Sequence, residues 1–417
     1  MHTTAHFFIW RYHDLFVILL LNEQHRMKQR IAVIFEGNIS NRLGVFNAVV
    51  NRVKHLRAIA PYDIDLFMIQ VYDTGLTRLL RRSKPVSDRP LTVEAEGETI
   101  NVWWVKRSLC DSLLHRLMGK KPARFLKHLQ QLGKGLEGYS LVSAHDRIAG
   151  HVARAAHQEH GIPYFITWHG ASIYTDPPRD PMLKALTIDL LHDANDNFFV
   201  SEGLVKKAEL LTTGFPHQVL LNGANSDFHR YDDATRSALR EKYGLGDSPV
   251  VAFVGRFEPV KNVTMLPEIF TIIAKKYGSK VKFWTIGNGW QHPAVEKMMQ
   301  DAPIDCKMWG ALPPERMPEM MNCMSVLILP SSLEGLPLVT IEALACGANV
   351  AASNVVGTAE SIGRENAFDL DDDFVENITD RAVLMLNGKV TQTLPPDVSW
   401  SATAVKENNI YLSYLNK

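Results

Sequence analysis

Short runs of β-branched and aromatic residues alternate along this chain with longer stretches whose apolar positions recur every three or four residues. Brief apolar runs bounded by turn residues mark strands buried on both faces, and the helical spacing between them supplies a crossover after each. In the first half the pattern predicts strands over 31–35, 65–70, 100–105, 140–143, 164–168, 197–200 and 218–221, with helices over 45–58, 148–160, 182–193 and 202–211. In the second half it predicts strands over 250–254, 282–286, 306–309, 326–329 and 349–352, again separated by helices. A turn-rich cluster at 222–227 divides the two series. A final amphipathic helix over 400–415 carries Tyr411 and Tyr414. The class expected is α/β: two Rossmann-like, doubly wound domains, 27–224 and 225–397, facing across a cleft, followed by a helical segment, 398–417.

Residues 1–26 stand apart. Positions 7–21 are apolar but interrupted by Arg11, His13 and Asp14, too short and too charged for an ordinary membrane span. A secretory signal is disfavoured by the lack of a basic start and of a small-residue cleavage site. Folding is expected to begin at Met27, just before the first strand. The preceding segment reads as a mis-assigned start, a peripheral anchor or an extra packed helix.

Composition narrows the class. A chain of 417 residues exceeds the roughly 250–300 at which single cores stop growing. Apolar content of 46% and charged content of 22% suit a soluble globular enzyme. The 45 basic and 45 acidic residues cancel, which argues against a general nucleic-acid binder. Cys110, Cys306, Cys323 and Cys346 lie far apart, which supports neither a zinc site nor a disulfide framework and fits a reducing cytoplasm. One stretch is uneven. Between 106 and 134, Lys106, Arg107, Arg116, Lys120, Lys121, Arg124, Lys127 and Lys134 face a single inner acid, Asp111, with leucines interleaved at helical spacing. It reads either as a basic amphipathic surface for an anionic membrane or as ordinary solvated helices.

The chemistry concentrates at two strand ends. Residues 331–347 run from an apolar strand through a polar turn into an Ala-rich helix, with Glu334 in the turn and Glu342 inside the helix. A carboxylate on a buried helix face needs a partner, because desolvating it costs several kcal/mol. Residues 253–262 repeat the layout with cations: strand, Gly255, Arg256, then Lys261. Two cations and two carboxylates at neighbouring strand ends would suit a sugar nucleotide, with diphosphate on the cations and hydroxyls on the acids. A cation at roughly 4 Å contributes about 4 kcal/mol at an effective dielectric of about 20, before desolvation.

With these elements in order, the chain resembles the retaining glycosyltransferases of the GT-B fold, family 4 (glycosyl transferases group 1), from Arg30 to the C-terminus. The most specific mark is the E-x7-E element of Glu334 and Glu342 followed by Ala343-Leu344-Ala345-Cys346-Gly347; the second is Gly255-Arg256 with Lys261-Asn262. Weaker marks are Ala144-His145-Asp146, Trp168-His169-Gly170, Val200-Ser201-Glu202, Asn222-Gly223-Ala224-Asn225, Gly287-Asn288-Gly289 and Gly357-Thr358-Ala359-Glu360. The resemblance implies an acceptor-binding first domain, a donor-binding second domain, and a last helix that packs back on the first.

It also implies roles. Arg256 and Lys261 would neutralise the leaving diphosphate without a metal, Glu342 would accept from the ribose, and Glu334 would contact hydroxyls of the donor sugar. Backbone N–H groups around Gly335, Leu336 and Leu338 would cradle the diphosphate. His169 would lie beside the transferred sugar, although a lone His after an apolar strand is often structural. Asp146 would position an acceptor or cap a helix. Gly44 ends a loop that in relatives approaches donor phosphate and acceptor, but here the usual adjacent glycine pair is missing. Gly287 would approach the nucleobase. No cofactor is expected beyond a nucleotide-sugar co-substrate, UDP- or GDP-linked, with a glycan or lipid-linked acceptor in polysaccharide, lipopolysaccharide or other glycoconjugate assembly. The setting expected is cytoplasmic, with peripheral contact at the inner membrane face. The rivals are a non-catalytic sugar-nucleotide-binding protein of the same fold and a sugar-nucleotide epimerase.

Overall fold

The computed structural model describes residues 29–416 apart from 40–43, 74, 82, 84, 85, 87, 108 and 120; the reading of residues 1–26 lies outside these. The first sheet contains β1 (Arg30–Glu36), β2 (Asp63–Tyr72), β3 (Thr92–Ala95), β4 (Glu98–Lys106), β5 (Leu141–His145), β6 (Tyr164–Trp168), β7 (Asp196–Phe199) and β8 (His217–Val219), in the order β3-β4-β2-β1-β5-β6-β7-β8. β3 pairs antiparallel with β4, and every other neighbour is parallel. The second sheet contains β9 (Val250–Val254), β10 (Lys282–Ile286), β11 (Cys306–Met308), β12 (Val326–Leu329), β13 (Asn349–Ser353) and β14 (Ala367–Phe368), all parallel, in the order β11-β10-β9-β12-β13-β14.

Central strands are fully buried: every residue of β5 and β6 is buried, and Val326 to Leu329 are all at or below 1% exposure. Parallel strands covered by helices on both faces read as continuous apolar runs, which is why the sequence pattern finds them. Edge strands β3 and β14 were not expected, and the basic stretch resolves into two helices, Leu109–Met118 and Ala123–Lys134, separated at Gly119.

Strand order positions the chemistry. In a parallel sheet, ligands lie outside the carboxyl ends of strands where the order reverses. The reversal falls between β1 and β5 in the first sheet and between β9 and β12 in the second. Glu36 and His145 end the first pair and Asp146 follows it; Gly255, Arg256 and the 331–338 turn follow the second.

The last helix, Trp400–Leu415, packs on helix Val45–Arg57 of the first unit. Arg52 and Glu407, each 2% exposed, form an ion pair at 2.5 Å across this contact, and Tyr411 donates to Ser143 Oγ at 2.7 Å. The chain therefore passes from the first unit to the second and back.

Candidate active site

The carboxyl ends of β9, β10 and the helix Leu338–Ala345 border a cavity of about 840 Å³, which takes in Arg256, Glu342, Gly287, Leu338, Asn288 and, from the last helix, Trp400. The turn after β10 must pass close to the turn after β9. A Cβ on Gly287 would lie 1.9 Å from the Gly255 carbonyl oxygen, and its φ of 132° is itself glycine territory. Backbone is thus brought to the cavity wall with no side chain in the way.

Arg256 extends into solvent, 57% exposed, and holds Glu258 at 3.0 Å. Such an exposed pair is weak, so the guanidinium is available to a stronger anion. Glu342 is partly buried at the cavity wall and, among the described residues, no side-chain hydrogen bond or ion pair satisfies it. Desolvation lifts its carboxyl from 4.5 to about 7. An ionised Glu342 is therefore short of hydrogen-bond donors until something polar enters the cavity.

Lys261 and Glu334 do not line that cavity. They face each other, Nζ to Oε1 at 2.5 Å, with 18% and 11% of their side chains exposed. The four charges expected around one hollow are thus divided: Arg256 and Glu342 on the cavity, Lys261 and Glu334 locked together beside it. The intervening turn is pressed against the first unit. A Cβ on Gly335 would meet the His169 carbonyl oxygen at 2.2 Å, and Ser201 Oγ donates to the Gly335 carbonyl at 3.1 Å. Leu336, 6% exposed, is buried in the apolar cluster of the first unit, so its side chain anchors the two halves. Leu338 alone of the turn's expected contact residues borders the cavity.

On the first unit's side, His145 Nδ1 and His169 Nε2 are 2.9 Å apart with their rings stacked at 5.2 Å. Burial, with help from the Arg52 charge, pushes His169 down to about 3 and holds His145 well below 6.5. Both rings are neutral at neutral pH, so one nitrogen of the contact donates and the other accepts. The Asp146 carboxylate accepts from the His169 backbone N–H at 3.2 Å, and burial raises it to about 7. Asp146 does not cap its helix through its side chain: Asp146–His160 begins on it, and it sits at φ 63°, a left-handed conformation uncommon for a side-chain-bearing residue. It borders a second hollow of about 390 Å³ with Glu36, Arg107, Arg147 and Asp176. Arg147 and Asp176 pair there at 2.6 Å, and desolvation raises the Glu36 carboxyl. Gly44, at φ 62°, precedes helix Val45–Arg57 and borders neither hollow; residues 40–43 before it lie outside the described set.

Sequence reasoning gave no role to Glu360, yet its carboxylate takes the backbone N–H groups of Glu202 and Gly203, both at 2.8 Å, at the start of helix Glu202–Glu209 in the other unit. The only signal was its place in a weak motif. Trp400 at the cavity was missed because the last helix carries no motif.

Two facing parallel-sheet units, with glycine turns and charged groups gathered at their switch points, define the GT-B architecture. Solved structures agree in fold: sucrose-phosphate synthase from Thermosynechococcus elongatus superimposes with TM-score 0.68 at 17% identity, covering 93% of this chain and 100% of that one. Anabaena Alr3699/HepE, in complex with UDP and glucose, gives TM-score 0.62 at 14% identity over 92% of this chain and 97% of that one. Residues 235–382, most of the second unit, match the family described as glycosyl transferases group 1. D-inositol 3-phosphate glycosyltransferase of Rhodococcus jostii (strain RHA1) is 25% identical over 242 residues, 54% of this chain and 53% of that protein. The chain thus spans about half the length of that curated relative.

Proposed function

We propose that this protein is a retaining glycosyltransferase of family 4 that moves a hexose-type sugar from a UDP- or GDP-linked donor to a hydroxyl acceptor. The observation that carries this reading is the cavity of about 840 Å³ in which Arg256, the glycine-bared backbone at Gly287 and the partnerless Glu342 meet. Its chemistry is that of a nucleoside diphosphate: cation and N–H groups for phosphate, a carboxylate for ribose hydroxyls. UDP and glucose in the Anabaena neighbour of like fold support a UDP-sugar.

In this reading the bond between the anomeric carbon and the diphosphate oxygen breaks as the acceptor oxygen bonds on the same face. The acceptor proton passes to the departing phosphate. Arg256 and Lys261 stabilise the charge growing on the leaving oxygen, with no metal required for that task. A donor phosphate drawing on Lys261 would release Glu334 to the sugar hydroxyls. His169, kept neutral, offers a hydrogen-bonding nitrogen beside the sugar rather than a charge.

Assembly of a polysaccharide, lipopolysaccharide or other glycoconjugate at the cytoplasmic face of a membrane fits the uneven basic charge of the first unit. Among the described residues, no helix is long and apolar enough to cross a membrane. Thermal unfolding with UDP-, GDP- and ADP-sugars tests the donor, since a ligand that binds only the folded state raises its melting point. No shift with any of them would overturn the reading. Release of free sugar from the matching donor, measured with and without chelator, separates an enzyme from a binding protein and tests the metal independence.

A further inference from the structure

The first unit carries a third hollow, of about 440 Å³, between helices Gly75–Arg81, Leu109–Met118 and Ala123–Lys134. Among the described residues, its lining includes Lys106, Arg107, Arg124 and His128 and no acid. The acid on the middle helix, Asp111, is turned inward, buried and accepting from the Phe125 N–H at 2.9 Å. Arg107 reaches Asp73 at 3.5 Å and borders both this hollow and the one at Asp146, so the two adjoin.

The helices that wall the hollow expose apolar side chains where a water-facing surface should be polar. Seven of the fourteen large exposed apolar side chains among the described residues fall within 76–118, among them Leu79 at 71% and Leu117 at 78%. Leu113, Leu114, Leu117 and Met118 share one helix face at spacings of one, four and five. A patch of exposed leucine framed by cations matches an anionic amphiphile, not a soluble polyanion, for which the leucines would add only cost.

We propose that the acceptor is carried on a lipid phosphate: the phosphate enters the hollow of Lys106, Arg107, Arg124 and His128, and the leucines seat in the leaflet. The phosphate then lies next to the Asp146 hollow, where an acceptor hydroxyl has to arrive. That the lipid is an acceptor rests on the transferase reading; the lipid-phosphate contact does not.

Flotation with the full chain tests it, using vesicles of phosphatidylcholine alone, with phosphatidylglycerol, or with a long-chain polyprenyl phosphate at equal charge. Binding to the polyprenyl phosphate vesicles should be roughly tenfold or more tighter than to either of the others. Lys106→Gln with Arg124→Gln should remove that preference, each cation near an anionic surface being worth roughly fivefold. Leu113→Ser with Leu117→Ser should abolish flotation without changing the melting point. Equal binding to phosphatidylglycerol would show charge attraction without a phosphate site and overturn the proposal. Melting shifts with UDP-, GDP- and ADP-sugars measured in parallel separate the two readings: lipid preference with no shift from any of the three defeats the transferase and leaves the lipid-phosphate site standing.

Discussion

Glu360, from the second unit, accepts a hydrogen bond from the backbone N–H of Gly203, in the first, at 2.8 Å. The same carboxylate takes the Glu202 N–H, so one half satisfies two N–H groups at the start of the other half's helix, whose own cap, Ser201, takes only the Leu204 N–H. Close backbone contact surrounds this latch, since a Cβ on Gly203 would meet the Val356 carbonyl oxygen at 2.4 Å. Val356 itself sits at φ 31°, a conformation a β-branched residue adopts only under constraint.

Removing that carboxylate should loosen the two halves. Glu360→Ala is expected to cost roughly 0.5–2 kcal/mol, the scale of a lost helix cap, and to enlarge the radius of gyration of the nucleotide-free protein in small-angle scattering. A variant with unchanged dimensions and melting point would show that the latch contributes nothing.

Arg256→Ala and Lys261→Ala should each lower turnover by roughly a hundredfold or more, the scale of losing one transition-state donor. The two differ in stability. Arg256 is mostly solvated, so its loss should leave the melting point near wild type. Lys261→Ala strands Glu334, 11% exposed, without its cation and should destabilise; adding Glu334→Gln should restore the melting point but not the rate. Near-normal turnover in Arg256→Ala would contradict its assigned role.

Glu342 gives a pH test. Its folded value of about 7 lies above the ordinary 4.5, so the folded state holds a proton that the unfolded chain gives up between these values. The stability present below about 4.5 is therefore lost as pH rises through about 7. At pH above that range, Glu342→Gln should stabilise the ligand-free protein by roughly 1–2 kcal/mol, less than the full shift implies because the group is partly exposed. It should also weaken donor binding, because an uncharged amide is the poorer acceptor for ribose hydroxyls. In the wild type, donor affinity should fall as pH drops below about 7. Isothermal titration across pH, with the variant showing no such fall, is the check.

Much of the fold was legible because buried parallel strands must be apolar along their whole length, as in Val326-Leu327-Ile328-Leu329. Thr92–Ala95 escaped because an antiparallel edge strand with one open face needs no such run, and Ala367–Phe368 because two residues carry no period. At the site, the strand-end placement of Arg256 and Glu342 could be read from local order alone. The Lys261–Glu334 pair could not, because its members lie 73 positions apart and nothing local encodes which way each turns. The His145–His169 contact likewise joins two strand ends across 24 positions. Leu336 looked like a loop residue offering its N–H, whereas its side chain is core for the opposite half.

The position of Glu407 has a consequence for biosynthesis. Arg52 is enclosed early in the chain, yet the carboxylate that neutralises it lies 355 positions later. Until residues 400–415 emerge, the amino-terminal half holds a guanidinium facing apolar Phe198 with no counter-charge. Completion of that half thus waits on residues 400–415, and a nascent chain stalled before they emerge leaves the Arg52 guanidinium without the carboxylate that pairs with it.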